Sequence, residues 1–326
     1  MAASTSTEVQ HYVPKFILKK FCGGKKPQLW VYDKHQGRSF KANVNRIAAE
    51  SGFYDFELGE VPVTLEQSLS ALEAKVAPIF KEIDRAGNIA FLDDEAKALL
   101  AYFFSVQLVR TKRHREQYRD IHNAIEEALS RQGDDITQLE GYEPPTEQSL
   151  KESGIHALAN AHDYVSHFLD KSWVLMRARK GFPFITSDHP ICMQNMLDHG
   201  PRGNLGLGVA GIEIYFPIST TWCLCMLCPS YQNEIIDGYQ RYKTMAMAGR
   251  LPPGLALQPF ELEELVAGFL EGAGVRTQDE SILNINSLHV RNSYRFIFSS
   301  KNDFEMVEDI LSEHPDLKTG AKFTVA

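Results

Sequence analysis

Two periodicities divide the chain. From Thr64 to Leu169 apolar residues recur three and four positions apart, whereas from Lys171 short apolar runs alternate with turns. In the first region the stripe Leu65, Leu69, Leu72, Val76, Ile79 and Ile83 predicts a helix opening at Thr64, where Gln67 completes a capping-box pattern. Pro78 is expected to kink it. A second helix starts near Asp93-Asp94, whose acids suit a helix N-terminus. It is expected to run through Ala98, Phe103, Val106 and Arg110 and then become highly charged from Lys112 to Arg119. A third helix carries Ile121 to Leu129, a polar loop spans Gln132 to Pro145, and Leu150 to Leu169 returns to helix.

The flanks read differently. Residues 1–10 are a loose polar terminus, and Lys15 to Phe21 form a helical turn ended by Gly23-Gly24. Leu29 to Tyr32, the turn Asp33 to Gly37 and Arg38 to Lys41 make a hairpin, and Val44 to Glu50 a short helix. Beyond Lys171 the segments Trp173–Met176, Phe184–Thr186, Gly211–Phe216 and Trp222–Leu227 predict strands, with a Gly-rich loop over Arg202 to Gly208. Tyr231 to Ala248 predicts a helix, followed by Gly249 and a break at Pro252-Pro253. Helices over Glu261–Leu270 and Ser281–Asn292, a strand over Tyr294–Phe298 and a helix over Phe304–Leu311 close the chain. Strands thus bracket a helical middle. The expected fold is α+β, with a mixed or antiparallel sheet formed by the N-terminal hairpin and the C-terminal strands. Residues 1–326 are read as one domain; the alternative is a helical subdomain, 62–170, packed on a β-rich remainder.

Composition narrows the class without naming a reaction. With 326 residues, 44% hydrophobic and 23% charged, the chain can bury a sizeable core and is not a disordered one. A net charge of −8 argues against a chain-wide basic surface for nucleic acid. No apolar run reaches the roughly 18 residues of a membrane helix, so no membrane partner is expected. The start MAASTSTEVQHYVP lacks a signal-peptide pattern, and the expected compartment is the cytoplasm. Five cysteines, an odd number, do not make a disulfide framework. Three of them, Cys223, Cys225 and Cys228, lie in an apolar run read as a buried strand. There Cys223 and Cys225 share one face and Cys228 the other, which suits core packing better than zinc.

Certain motifs resemble a known family. His11-Tyr12-Val13-Pro14-Lys15-Phe16, followed by Val31-Tyr32-Asp33-Lys34, is similar to the opening of a bacterial domain of unknown function, family 4238. Glu66 and Glu73 on the first long helix, Gln107-x-x-Arg110 on the second, and Thr186-Ser187-Asp188-His189-Pro190 fit it further. So do Phe216-Pro217-Ile218-Ser219, with Ile for the usual Leu and Thr220 for the final Pro, and Asn284-x-Asn286. The resemblance runs from His11 to Ser299 and implies no established activity. It carries a hint of accessory proteins in mobile or phage-defence gene sets.

The polar residues in these motifs are the candidate site. His11 can act as general acid or base, or its ring can bond a backbone carbonyl and fix the N-terminal segment. Arg110 can clamp a phosphate, with Gln107 positioning substrate or water, or pair with Glu66 or Glu73. Phe103, Gln107, Arg110 and His114 form one stripe if the helix is continuous. Glu66, Glu73 and Asp188 are carboxylates able to hold Mg²⁺ or Mn²⁺, though no metal or cofactor signature is identified. Asp188 can alternatively orient His11 or bond its own downstream backbone. Lys112, Arg113, Arg115 and Arg119 read as a solvated face that can steer an anion.

Two functions follow. One is a nuclease or nucleotide hydrolase acting on RNA, single-stranded DNA or a nucleotide, with His11, Gln107, Arg110 and Asp188 catalytic. The other is a non-catalytic binding or sensor module in which the same residues form a structural polar network. Either is compatible with an oligomer.

Overall fold

The computed structural model of the chain describes residues 9–58, 61–199, 205–251 and 259–321. Most of the loose N-terminus, Arg202 to Asn204 of the Gly-rich loop and the Pro252-Pro253 break lie outside the described residues.

In chain order the elements begin with β1 (Val9–His11), α1 (Lys15–Leu18), β2 (Gln28–Asp33), β3 (Arg38–Asn43), β4 (Ala49–Ser51), β5 (Asp55–Leu58) and β6 (Val61–Thr64). The helices α2 (Glu66–Ala86), α3 (Asp94–Val109), α4 (Lys112–Gln132), α5 (Glu147–Ala159) and α6 (Val165–Leu169) follow. Then come β7 (Ser172–Arg177), β8 (Thr186–Ser187), β9 (Cys192–Asn195), β10 (Ile212–Pro217) and β11 (Trp222–Leu227). The chain closes with α7 (Pro229–Met247), α8 (Pro259–Glu271), β12 (Gly274–Arg276), α9 (Asp279–Asn292), β13 (Phe296–Ser299) and α10 (Glu305–Glu313). The fold is α+β, with a helical middle region and mixed or antiparallel sheets.

A five-stranded sheet has the order β12-β7-β11-β10-β9, antiparallel except for the β12–β7 pair. Its central strands β10 and β11 are buried along their whole length, which requires cover on both faces. Ile212, Ile214, Phe216, Trp222, Leu224 and Met226 face the helical layer. There Phe80 of α2, Phe103 and Phe104 of α3 and Phe168 of α6 form an aromatic cluster, with Phe104 and Phe216 5.1 Å apart. Tyr215, Cys223, Cys225 and Leu227 face the other way, onto Ile282 and Ile285 of α9. The apolar run of β11 is therefore two alternating faces, each with its own partner.

The second sheet, β3-β2-β13-β8, joins the N-terminal hairpin to the C-terminal part of the chain. Leu29 and Val31 of β2 point into the main core, while Tyr32 and Ile297 meet Phe304, Val307 and Leu311 around α10. Gly87 ends α2 at φ +65°, and a Cβ there would lie 2.9 Å from the Trp222 ring. Only glycine serves both the turn and that approach.

Several local expectations change. Thr64 ends β6, and α2 starts at Glu66 after Leu65 with no side-chain cap, so the capping box does not form. The β5–β6 pairing keeps Thr64 extended and wins over the local signal. The helix expected to continue past Arg110 breaks there. Thr111 takes extended backbone angles, accepts from the His114 amide and starts α4, which absorbs the separate helix expected at Ile121. His114 therefore does not continue the stripe of Gln107 and Arg110. Val44 to Glu50 is a single 3₁₀ turn leading into β4, because β4 pairs with β1. In the Phe184–Thr186 region only Thr186 and Ser187 are strand.

The cysteines follow the two-face logic up to Leu227. Cys223 and Cys225 share the α9-facing side, with their sulfurs 3.9 Å apart. Cys228 lies beyond the strand, immediately before α7, and is only half-buried. All five thiols are free. A thiol reagent is expected to reach only Cys22 and Cys228 in the native protein and all five after denaturation, with no stoichiometric zinc released. Native modification of three or more, or zinc lost on Cys225→Ser, would contradict this packing.

Candidate functional site

Val9–His11 form β1 and Tyr12-Val13 bend before Pro14, so the carbonyls of His11 and Tyr12 join no helix and need other donors. The break at the end of α3 supplies them. Gln107 Nε2 donates to the Tyr12 carbonyl at 3.0 Å, and Arg110 Nε donates to the same oxygen at 3.2 Å. Arg110 Nη2 reaches the His11 carbonyl at 3.4 Å and Glu73 Oε1 at 2.8 Å. The Tyr54 hydroxyl adds a bond to the His11 carbonyl at 3.2 Å. Arg110 is thus almost wholly enclosed, 1% exposed, and its charge is met by a carboxylate of α2. The fork geometry serves two backbone oxygens and one carboxylate at once, which a point charge cannot do.

The His11 ring is equally engaged. Its Nε2 lies 3.1 Å from the Val44 carbonyl and must donate to it. Burial pushes the imidazole pKa below its ordinary value, and the nearby Lys15 and Arg110 cations add to this. The ring is neutral and tied to the 3₁₀ turn before β4.

Asp188 sits in a second cluster. Its Oδ1 accepts from the Tyr294 amide at 2.9 Å, and its Oδ2 from the amides of Arg295 and Phe296 at 2.7 and 2.8 Å. Burial pushes its pKa up, opposed by those amides and by Lys34. Lys34 is also fully buried, and its Nζ donates to the carbonyls of Val290, Ser293 and Leu317 at 2.7–2.8 Å. Burial lowers its pKa to about 8. Asp33, beside it, forms a two-pronged bond with Arg295 at 3.0 and 2.7 Å. Asn286 completes the arrangement, accepting from the Ile185 amide at 3.0 Å and donating to the Pro183 carbonyl at 3.1 Å.

The candidate residues therefore fall into two groups. His11, Gln107, Arg110 and Glu73 share one hydrogen-bonded seam, while Asp188 belongs to the turn between α9 and β13. No hydrogen bond joins Asp188 to His11 or Arg110 among the described residues. Tyr12 links the two: its carbonyl takes Gln107 and Arg110, and its buried phenol is pushed up by burial and by the charge of Asp188. Thr111 makes a further link, with its Oγ1 2.8 Å from His189 Nδ1. Glu66 lies close enough to Tyr54 for its charge to act there, as does that of Glu73. Among the described residues no three His, Cys, Asp or Glu side chains are grouped as a metal site.

Lys34 and Asn286 lie within the family-like motifs but carry no role legible from the sequence, and His289 lies outside those motifs. The signal for His289 is its place on the buried stripe of α9 with Ile282 and Ile285. Its Nδ1 lies 3.2 Å from Ser187 Oγ and 3.4 Å from Cys192 Sγ. All three residues are buried, and His289 Nε2 has no hydrogen-bond partner among the described residues.

Comparison with known proteins agrees with the motifs. A family model described as "Protein of unknown function (DUF4238)" matches residues 9–303. No curated protein and no solved structure matches the chain. Among the described residues no helix is long and apolar enough to cross a membrane.

Two predictions follow from this geometry. Arg110→Ala removes one of two side-chain donors at each of two buried carbonyls and the partner of Glu73, and should lower unfolding free energy by about 3 kcal/mol. Arg110→Lys should recover less than half of that loss in denaturant titration, and an unchanged midpoint for Arg110→Ala would refute the seam. The second concerns acid. Burial lowers His114 to about 4 and His189 and His289 to about 3. The unfolded chain takes up these protons near pH 6.5, but the folded chain does not, so stability falls as pH drops from 6.5 towards 4. The loss at pH 5 should be on the order of 2 kcal/mol per histidine. Denaturant titrations at pH 7 and pH 5 measure it, and His289→Gln should reduce the difference.

Proposed function

The chain belongs to this family of unknown function, and we propose from its site that it works as a binding module, not as a hydrolase. The supporting observation is that the Asp188 carboxylate is bonded to backbone at both oxygens and that the buried His11 ring is anchored to backbone through Nε2. Both oxygens of Asp188 hold three amides between them, and His11 Nε2 holds the Val44 carbonyl. A general acid or base needs its titrating atom within reach of substrate. For Asp188 that atom would first have to give up a buried hydrogen bond, and for His11 the titrating atom is Nδ1 of a buried ring.

The basic stretch after Arg110 supports the same reading. Lys112 pairs with Glu50 at 2.5 Å, Arg113 with Asp120 at 2.6 Å and Arg119 with Glu147 at 2.6 Å. Arg115 donates to the Phe53 carbonyl at 2.9 Å and stacks on the Phe53 ring. Phosphate recognition uses cations free to replace counterions, and these four are engaged within the chain. In this reading the motif residues lock the N-terminal segment and the α9–β13 turn in place, and recognition falls to the outer surface.

The test is purified protein against labelled RNA, single-stranded DNA and a nucleotide panel, with and without Mg²⁺ or Mn²⁺. No turnover is expected, and both His11→Ala and Asp188→Asn should lower the melting temperature. Turnover by the wild type that is lost in a His11→Gln variant with an unchanged melt would establish the hydrolase instead.

A further inference from the structure

A concave surface with an apolar lining lies away from the motif seam. It is a groove of about 420 Å³ between α9, α10 and residues 181–185. Ile185, Leu283, Met306 and Ile310 contribute its apolar lining, and Leu283 is 43% exposed there. Such a surface on a helix directed at the core needs a reason, since Leu283 has been left outside while Ile282 and Ile285 beside it are buried.

The charge along the groove is one-sided. Asp303, Glu305, Asp309 and Glu313 all line it and are exposed, against the single ammonium of Lys301. None of these four carboxylates joins an ion pair among the described residues. This contrasts with α4, where Lys112, Arg113 and Arg119 each pair with a carboxylate. Glu305, Asp309 and Glu313 stand four residues apart on α10, so they rise along one side of it in steps of about 6 Å. Met306 and Ile310 stand next to them with the same spacing.

We propose that this groove docks a basic amphipathic helix of a partner protein. A helix lying alongside α10 with Lys or Arg at every fourth position repeats the 6 Å step of the carboxylates. Apolar side chains on its adjacent face enter between Leu283, Ile185, Met306 and Ile310. Charge complementarity fixes the direction of approach, and the apolar lining supplies the burial. The groove also touches the motif segment. Asn286 and Ile185 line it, and the Asn286 side chain bonds the Ile185 amide and the Pro183 carbonyl. A docked helix thus presses on the strand that leads to Asp188. The inference stands apart from the proposed function, because a groove of this kind can serve an enzyme as well as a binding module.

The probe is a fluorescein-labelled synthetic helix of about 16 residues, with Leu on one face and Lys at every fourth position beside it, compared with a scrambled peptide of the same composition. Fluorescence polarisation should show saturable binding of the patterned peptide, weakening as salt rises from about 0.05 to about 0.3 M. Glu305→Lys combined with Asp309→Lys should weaken it at least about tenfold, and so should Leu283→Glu, each with an unchanged melting temperature. Hydrogen exchange should slow in α10 and in residues 181–185 when the peptide is bound. Equal binding of the scrambled peptide, indifference to the groove variants, or no binding by the wild type would overturn the proposal. So would a concentration-dependent dimer abolished by Leu283→Glu, which would assign the groove to a second copy. The turnover assay has no bearing on these outcomes, so the two readings fail separately.

Discussion

A buried carboxylate and a buried ammonium grip the turn between α9 and β13 from its two sides. Asp188 takes three successive amides of that turn, and Lys34 takes two carbonyls at the end of α9 and one from the C-terminal segment. Each charge alone would cost several kcal/mol to remove from water. Together, with every strong bonding site filled, they hold a segment that has no regular ladder of its own. The turn sets where β13 enters the sheet, and β13 is the strand that joins β2 to β8. The N-terminal hairpin and the Thr186–Pro190 segment are therefore positioned by one local electrostatic arrangement.

The Arg110 seam extends the same principle to the helical layer. Where β1 leaves its pairing with β4, the carbonyls of His11 and Tyr12 are met by side chains. The end of α3 meets them with Gln107 and Arg110, and α2 neutralises the guanidinium with Glu73. Tyr12 lies between the two clusters. The separated motifs are thus explained by what they hold together: N-terminal segment, helices, hairpin and C-terminal turn. The seam is not fully satisfied: Gln107 Oε1 and Arg110 Nη1 are buried without a hydrogen-bond partner among the described residues. At the α9–α10 groove, by contrast, four carboxylates stand against one ammonium.

Much was legible along the chain because local pattern and tertiary packing agreed. The stripe from Leu69 to Ile83 reports a helix with one buried face, and it becomes α2. Asp93 is where an acidic cap should be, and it caps α3. The alternation within Trp222–Leu227 separates Cys223 and Cys225 from their neighbours before any fold is known. The choice between a paired and a catalytic Arg110 was not legible, because a guanidinium on a helix face looks the same in either case. Its role depends on Glu73, 37 positions away, and on carbonyls of residues 11 and 12.

By itself the sequence determined the α+β class, the helical middle, the two-faced buried strands and the set of polar residues with special roles. These depend on side-chain periodicity and on proline and capping chemistry, which act over a few residues. Only the tertiary structure decided that Thr111 breaks the long helix, that Thr64 stays in a strand, and that Asp188 serves the backbone 106–108 positions ahead, not His11. Those outcomes depend on contacts between distant segments. A polar group is satisfied by whichever donor or acceptor the fold brings to it, and spacing along the chain does not specify which one arrives.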